Sequence, residues 1–394
     1  MSTEDIHKTP VLPITEGTSE IIEKKKSELL QQGQQATGQE EPEITREQLS
    51  LSKRFLNWRT LVPLAVVLIL LVIFAQRASI NPRKIGEAIL SANLLFFLLA
   101  FFIYYCSFIM RSLRWRILLQ NAGFTENKGV QLPGHLKLVE IIYISFFANT
   151  IVPAKLGDIY RAYLLRQETG VPTTRSFGTV IAERFLDLAM LLTLLIPAVI
   201  VSLHEHLPPQ IFTSLQVLLA IVVAGLIGLF VLRRAREAIA HLVPTRFRSQ
   251  YYHFHEGTLG SFRRMPLLII LTLGVWTCEA LRFFFVALSL NLIGGSLLHI
   301  LAAAIFIGLG ESLLTAIPTT GGGVGLVEGG MAAMIALFSQ GNSLVNLANL
   351  TAAAILLDRT ITFFSILIIG FFVFLLAFGR RAASQPVRKQ TSAP

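Results

Sequence analysis

Long apolar runs alternate with short basic segments along most of this chain. A helix that crosses a bilayer needs about 20 predominantly apolar residues. Several runs approach or exceed that length, and polar or basic residues follow at their ends. The pattern therefore predicts an all-α polytopic membrane protein with about six full spans. The predicted spans are residues 61–75, 94–110, 176–203, 211–232, 266–290 and 352–378.

The apolar run that ends at Pro153 is too short to cross a membrane comfortably and contains Glu140. Proline removes a backbone donor, and Gly157 follows four residues later, before a polar helical segment. Basic residues flank both ends of residues 137–170, so we expect both ends on the same side of the membrane. The segment predicts a re-entrant hairpin.

A second interruption lies at residues 313–331, with the sequence LLTAIPTTGGGVGLVEGGM. Irregular backbone inside a bilayer is tolerated only where protein buries it or where it lines a watery cavity. We therefore interpret the stretch as two half-helices that meet inside the protein; the alternative is a short loop between two ordinary spans. The predicted break residues of the two hairpins are Pro153, Gly157, Pro318, Gly321, Gly322, Gly323 and Gly325.

Three glycines of this stretch, Gly321, Gly325 and Gly329, recur at every fourth position. On a helix that restarted at Gly321 they would share one face, and small residues at that spacing favour close helix packing. We expect this face to be packed against a neighbour.

The basic residues set the predicted orientation, because cytoplasmic loops of membrane proteins are enriched in Lys and Arg. Seven arginines lie within residues 233–264, and further bases precede residue 61 and follow residue 378. Residues 291–351 contain no Lys or Arg. We therefore expect a multi-pass protein of the cell inner membrane with both termini in the cytoplasm.

Two basic segments near the start of the membrane region need separate interpretation. The segment RSLRWRILL places Arg111, Arg114 and Arg116 at the predicted cytoplasmic surface, with Trp115 anchored among the headgroups. Residues 77–92 lie outside by alternation although they contain bases, and we predict an interfacial helix there.

The order of elements predicts an inverted repeat. Each unit consists of a crossing, a broken hairpin and a second crossing with an acidic residue directly before an arginine, and the charge bias gives the units opposite orientations. Inverted repeats with broken helices are a known plan of transporters, with the site near the bilayer midplane. The two dyads are Glu183–Arg184 and Asp358–Arg359.

Composition supports this picture: 53% of the 394 residues are hydrophobic, 15% are charged, and the mean hydropathy is +0.62. The net charge of +10 combines −5 in residues 1–50 with +15 in the remainder. Bases beside apolar runs fit anionic headgroups, so we expect membrane lipids and no nucleic acid as partners. We predict a disordered cytoplasmic tail at 1–50, a transmembrane domain at 51–380 and a cytoplasmic tail at 381–394.

Charged residues inside the predicted spans are the candidate site. Glu183 and Asp187 share a helix face, and Arg184 is three residues before Asp187 and can pair with it. A charge near the bilayer centre costs about 2.5–3.5 kcal/mol on insertion scales, so such groups need partners or water. They form either a structural ion-pair network or a polar cavity for a lipid headgroup, in which arginine faces phosphate.

The remaining candidates follow the same reasoning. Glu279 and Arg282 can pair, whereas adjacent Asp358 and Arg359 point to different faces and need separate partners. Glu311 and Glu328 flank the second break, whose half-helix N-terminus would offer free N–H groups to an anion. The candidate substrate-binding residues are Arg161, Glu183, Arg184, Asp187, Glu279, Arg282, Glu311, Glu328, Asp358 and Arg359.

Several classes of function are disfavoured by the sequence. The His-containing segments 204–206 and 253–256 have no further ligands nearby, so we expect no metal site and no cofactor. The glycine-rich stretch does not fit the pattern GxxxxGK[ST], which argues against ATP-driven transport within this chain. No Ser/His/Asp arrangement stands out, and we expect no enzymatic activity.

Four ordered motifs resemble one family: VPAKLGDIYRAYLL, AERFLDL, IPTTGGGVGLVE and LLDRTITF. They are similar to the flippase-like membrane domain of lysylphosphatidylglycerol synthases, the multiple peptide resistance factor family. The resemblance covers roughly residues 55–380 and implies two inverted repeats with re-entrant helices. By motif match it implies a role for Arg161, Glu183, Arg184, Asp187, Glu328 and Arg359.

The resemblance implies translocation of phospholipids or related lipids between leaflets. The soluble aminoacyl-transfer domain of the full synthases is not found after the membrane part, so we expect a stand-alone form that makes no aminoacylated lipid. The expected substrate is an anionic or aminoacylated phospholipid or a polyprenyl-linked lipid. The alternatives are an enzyme or accessory subunit acting on polyprenyl-phosphate sugars, and a purely structural membrane partner. The sequence leaves open a homo-oligomer and a partnership with a lipid-modifying enzyme or glycosyltransferase.

Overall fold

The computed structural model describes residues 81–152, 154–203, 209–317, 320–338 and 344–384, and every regular element within these ranges is helical. The predicted span 61–75, the N-terminal tail and residues 385–394 lie outside the described residues, as do Pro153 and Pro318. The prediction of an all-α polytopic membrane protein is confirmed, since six described helices are long and apolar enough to cross a membrane.

Thirteen α-helices are described in these ranges. Short 3-10 turns lie at Glu126–Lys128, Thr245–Phe247 and Gly321–Gly323, and a π-helical segment at Thr360–Phe364 joins the last two helices. The helices are α1 Pro82–Ser91, α2 Leu94–Asn121, α3 His135–Ile151, α4 Leu156–Thr169, α5 Thr173–Ser202, α6 Pro209–Arg234, α7 Arg236–Leu242, α8 Arg248–Gly260, α9 Met265–Ser289, α10 Leu297–Ala316, α11 Leu326–Ala336, α12 Leu344–Arg359 and α13 Ser365–Ser384.

Five of the predicted spans correspond to α2, α5, α6, α9 and the α12–α13 pair. The sixth apolar helix is α10, whose 20 residues are long enough to cross a membrane. Helix α1 occupies the segment predicted as interfacial, and none of its residues is buried. That it lies at the membrane interface stays a prediction.

Helices α2 and α9, the first crossings of the two predicted units, pack directly against each other. Gly274 of α9 lies in this contact, next to the terminal methyl group of Met110 on α2. Large apolar side chains such as Phe102, Ile227 and Ile270 are exposed on the outer faces of their helices. An outward apolar surface is expected of helices surrounded by lipid.

The first predicted break is confirmed: α3 ends at Ile151 and α4 begins at Leu156. Ala154 and Lys155 between them have left-handed φ values of 64° and 54°, an uncommon conformation for residues with a side chain. Gly157 lets the two helices close on each other, because a Cβ atom there would lie 2.1 Å from the carbonyl oxygen of Ser145.

The second predicted break is confirmed as well, between the end of α10 and the start of α11. Gly322, Gly323 and Gly325 have φ values of 62°, 71° and 90°, which only glycine adopts without steric cost. The chain thus turns sharply in the left-handed region and restarts as a helix at Leu326.

The prediction of a closely packed glycine face is wrong. Gly321 and Gly325 precede α11, and a Cβ atom on Gly329 would meet nothing within 4 Å. Gly330 is the position in contact, against a side-chain carbon of Leu314 on α10. The four-residue spacing did not describe one helix face, because the helix begins only after Gly325.

The two breaks touch each other. A Cβ atom on Gly321 would lie 2.6 Å from the carbonyl oxygen of Thr150 and 2.9 Å from that of Ile151, at the end of α3. The glycine-rich turn therefore rests on the last residues before the first break. In lipid, irregular backbone is stable only when protein covers it in this way or when water reaches it.

Candidate functional site

Glu183 on α5 is the centre of the first charged cluster. Its Oε1 atom accepts a hydrogen bond of 3.0 Å from Arg114 on α2, and its Oε2 atom accepts one of 3.0 Å from Arg161 on α4. The three side chains are at most 2% exposed. One carboxylate thus joins the first crossing, the half-helix after the break and the second crossing of the same unit.

Asp187, one helical turn after Glu183, completes this cluster. It accepts a 2.6 Å hydrogen bond from Arg114 and a 3.1 Å hydrogen bond from the indole nitrogen of Trp276 on α9. It also pairs with Arg184 at 3.4 Å, as the spacing predicted. The tryptophan links the first unit to the first crossing of the second.

The Arg184 side chain extends from α5 toward the start of α4. It forms a bidentate ion pair with Asp158, with Nε–Oδ2 and Nη2–Oδ1 distances of 3.0 and 2.9 Å. Asn149 at the end of α3 supports this arrangement, since it donates to Asp158 and accepts from the backbone nitrogen of Gly157. The break and the acid–arginine dyad are therefore one connected structure.

The prediction that Arg111, Arg114 and Trp115 lie at the membrane surface is wrong. Helix α2 continues through them to Asn121, and the three residues are 5%, 0% and 0% exposed. Trp115 donates to Thr179, and the Arg161 guanidinium lies 3.8 Å above its ring. Basic residues at the end of an apolar run resemble a surface anchor, but here carboxylates on other helices neutralise them.

Arg282 on α9 is the centre of the second cluster. It pairs with Glu279 at 3.3 Å, with Glu311 on α10 at 2.5 Å, and with Asp358 on α12. Glu279 also forms an ion pair with Arg111 of α2, with an N–O distance of 2.6 Å. The second cluster therefore adjoins the first across the pair formed by α2 and α9.

Arg359 closes the second cluster at the second break. It pairs with Glu328 at 2.6 Å and with Glu311 at 3.9 Å, and it donates to the carbonyl oxygen of Gly322 at 2.9 Å. Glu328 in turn accepts a 2.6 Å hydrogen bond from the backbone nitrogen of Gly325. The half-helix N-terminus is thus capped by its own glutamate, and we see no free anion site there among the described residues.

The two units carry the same arrangement of charges. Asp158 is the third residue of α4 and binds the dyad arginine Arg184; Glu328 is the third residue of α11 and binds the dyad arginine Arg359. An acid placed there also suits the positive end of the helix dipole.

The dyad acids correspond as well. In the first unit Glu183 pairs with Arg114 of the first crossing. In the second unit Asp358 pairs with Arg282 of the first crossing. These matching contacts support the predicted repeat, although the sequences of the two units share few residues.

All ten predicted site residues lie in these two clusters, whereas Glu140 pairs with Lys137 away from them. Sequence reasoning missed Arg111, Arg114 and Asp158. Their signals were the three-residue spacing of the arginines at the end of a long helix, and an acid three residues into a half-helix.

The clusters are mostly closed. The expected open cavity between the hairpins is filled, among the described residues, by paired charges. Arg184 is 36% exposed, Glu328 20% and Asp158 13%, whereas the other members are at most 7% exposed. A ligand that reaches these groups would therefore meet the dyad arginine and the half-helix acids first.

Known proteins share this sequence pattern. Residues 61–380 match the family described as the lysylphosphatidylglycerol synthase TM region. The chain is 34% identical over 230 residues to a UPF0104 membrane protein of Methanocaldococcus jannaschii, which covers 58% of this chain and 93% of that protein.

Two further relatives extend the comparison. A UPF0104 membrane protein of Methanothermobacter thermautotrophicus is 25% identical over 349 residues, which covers 80% of this chain and 92% of that protein. Glycosyltransferase AglD of Haloferax volcanii is 28% identical over 141 residues, 36% of this chain but 21% of that protein. With most of its length matched, this multi-pass membrane protein belongs to the family of the lysylphosphatidylglycerol synthase TM region.

Proposed function

We propose that this protein moves a lipid between the leaflets of the cell inner membrane, with both termini in the cytoplasm. The substrate is an anionic or aminoacylated phospholipid or a polyprenyl-linked lipid. Family membership supports a lipid-related role. The paired breaks and buried charges support transport, because broken helices at a repeat interface are a recurring feature of transporter sites.

The observation that carries the proposal is the ion pair between each dyad arginine and the acid of its half-helix. The pair is bidentate between Arg184 and Asp158 and a single hydrogen bond of 2.6 Å between Arg359 and Glu328. Arginine binds carboxylates and phosphates through the same planar fork. In the conformation described, Asp158 occupies the position that a lipid phosphate would take. The half-helix acids bind the dyad arginines when no lipid is present, and the headgroup phosphate displaces them.

Movement of the headgroup follows from this exchange. When the phosphate replaces Asp158 on Arg184, the freed carboxylate faces a cationic part of the headgroup or water. Helix α4 then loses one of its two described ion pairs with α5 and keeps the other, Arg161–Glu183. The symmetric pair allows the same step from the other side of the repeat. The acyl chains stay in lipid, against the outward apolar faces of the helices.

The direct test is leaflet exchange of fluorescent phosphatidylglycerol in proteoliposomes that contain the purified full chain. The proposal expects exchange well above that of protein-free vesicles. Arg83→Gln is the matched control for arginine variants in this assay, since Arg83 is exposed and its ion pair, within the described residues, is with Glu87 on the same helix. Exchange at the protein-free rate, for phosphatidylglycerol, lysylphosphatidylglycerol and a polyprenyl phosphate alike, would contradict the proposal.

A second candidate is an accessory role beside an enzyme acting on polyprenyl-phosphate sugars. The similarity to glycosyltransferase AglD favours it, although it covers only 36% of this chain. The discriminating measurement is sugar transfer from a polyprenyl-phosphate donor, with and without the purified protein. Turnover without leaflet exchange would favour this candidate over lipid transport.

A further inference from the structure

A cavity of about 730 Å³ lies away from the two charged clusters, where several helices end. Its walls come from the last residue of α2, the start of α5, the end of α6, helix α8 and the turn before α9. Four apolar helices begin or end around it, as expected of a cavity at one membrane–water interface.

Four arginines line this cavity: Arg175, Arg233, Arg236 and Arg263. Glu256 is the one acidic residue of the lining, and it lies 3.5 Å from Arg175. Within the described part of the chain, Arg233 and Arg263 form no ion pair, and the buried Nε atom of Arg175 has no hydrogen-bond partner. Arg236 pairs with Glu237 at 3.8 Å, so the unpaired positive charge of the cavity comes from Arg233 and Arg263.

His255 also lines the cavity without adding to that charge. Its Nε2 atom lies 3.1 Å from the carbonyl oxygen of Leu232. Burial lowers the pKa of this imidazole below its ordinary value, so the ring is neutral at pH 7. The positive charge of the lining therefore comes from the guanidinium groups.

One side of the cavity is apolar and continues onto the membrane-facing surface. Leu229 and Phe230 of α6 belong to the lining, and Phe230 is 68% exposed. One turn earlier, Leu226 and Ile227 are 52% and 57% exposed along the same helix. A ligand with a charged head and apolar chains matches both parts of this surface.

We propose that this cavity is a second lipid site, which holds the headgroup of an anionic phospholipid between Arg233, Arg236 and Arg263 while its acyl chains lie along α6. Basic pockets between membrane helices at the membrane surface bind anionic headgroups. The site is separate from the broken hairpins, and its occupancy does not depend on the transport proposal. It takes lipid from the leaflet on the arginine-rich side.

The test compares lipid binding by the purified full chain in native mass spectrometry, with phosphatidylglycerol and phosphatidylcholine offered at equal concentration. The variant is the triple change Arg233→Gln, Arg236→Gln and Arg263→Gln. The matched control is Arg234→Gln, Arg246→Gln and Arg264→Gln, which removes equal charge from the same segment outside the cavity lining. Thermal unfolding of both variants should match the wild type, because the altered side chains are exposed.

The expected result is a preference of the wild type and the control for phosphatidylglycerol, reduced about tenfold or more in the cavity variant. An unchanged preference in the cavity variant, or an equal loss in the control, would overturn the proposal. A third arm offers inorganic phosphate alone. Phosphate binding that the cavity variant loses, without any lipid preference, would assign the cavity to a soluble phosphate compound and overturn the lipid assignment.

Discussion

Asp158 holds Arg184 through two hydrogen bonds of 2.9 and 3.0 Å, from the third position of a helix that begins just after a break in the chain. At the second break Glu328, also the third residue of its helix, binds Arg359 through one hydrogen bond of 2.6 Å. The repetition ties both half-helices to the dyads of the following spans. It also gives each half of the protein one arginine whose partner could be replaced by a phosphate.

The buried pairs should be needed for stability. Glu183→Gln removes the charge that Arg114 and Arg161 share, and breaking a buried ion pair from one side costs about 3–5 kcal/mol. We expect a clear loss of thermal stability in detergent. Glu87→Gln, at an exposed carboxylate of α1, is the matched control and should unfold like the wild type. A stable Glu183→Gln protein would show that this cluster is not structural.

Contact between the two breaks predicts a specific effect of one methyl group. Gly321→Ala would place a Cβ atom 2.6 Å from the carbonyl oxygen of Thr150 and should cost about 1–3 kcal/mol through overpacking. Gly329→Ala adds the same methyl group where nothing lies within 4 Å, so it should be neutral or slightly stabilising. Equal melting temperatures of the two variants would contradict the described contact.

The charge bias predicts which loops face opposite sides. In a background with Cys106→Ala and Cys278→Ala, Gly294→Cys should react with an impermeant maleimide on intact cells. Arg246→Cys should react only after permeabilisation. Both positions lend themselves to labelling, since Gly294 has open space at its Cβ position and Arg246 is exposed. Labelling of both from the same side would contradict the predicted crossing of α9, which lies between the two positions.

The hydrophobic pattern and the glycine and proline positions were enough to predict most of the fold. The spans and both breaks follow from local sequence, because span length and glycine conformation are local properties. The same reasoning failed at Gly329, where the spacing suggested a packed face. Packing depends on where the helix starts and on which neighbour lies opposite, and neither is encoded within those few residues.

The candidate site shows the same division. The pairs Glu279–Arg282 and Arg184–Asp187 were predictable because both partners lie three residues apart on one helix. Arg114 was misplaced at the surface because its partners come from α5, 69 and 73 positions away along the chain. A basic residue beside an apolar run has two physical solutions, interface or buried partner, and only the fold decides between them.

Comparison of Arg184→Gln with Asp158→Asn in the leaflet-exchange assay tests the role of the Arg184–Asp158 pair most directly. If a lipid phosphate takes the place of Asp158, Arg184→Gln should lower exchange about tenfold or more, as expected for loss of a charge-assisted hydrogen bond. Asp158→Asn removes the negative charge that competes with phosphate and leaves Asp187 as the carboxylate paired with Arg184, so this variant should exchange lipid at least as fast as the wild type. Equal losses in both variants, with the fold intact, would show that the pair is only structural and would contradict the proposed mechanism.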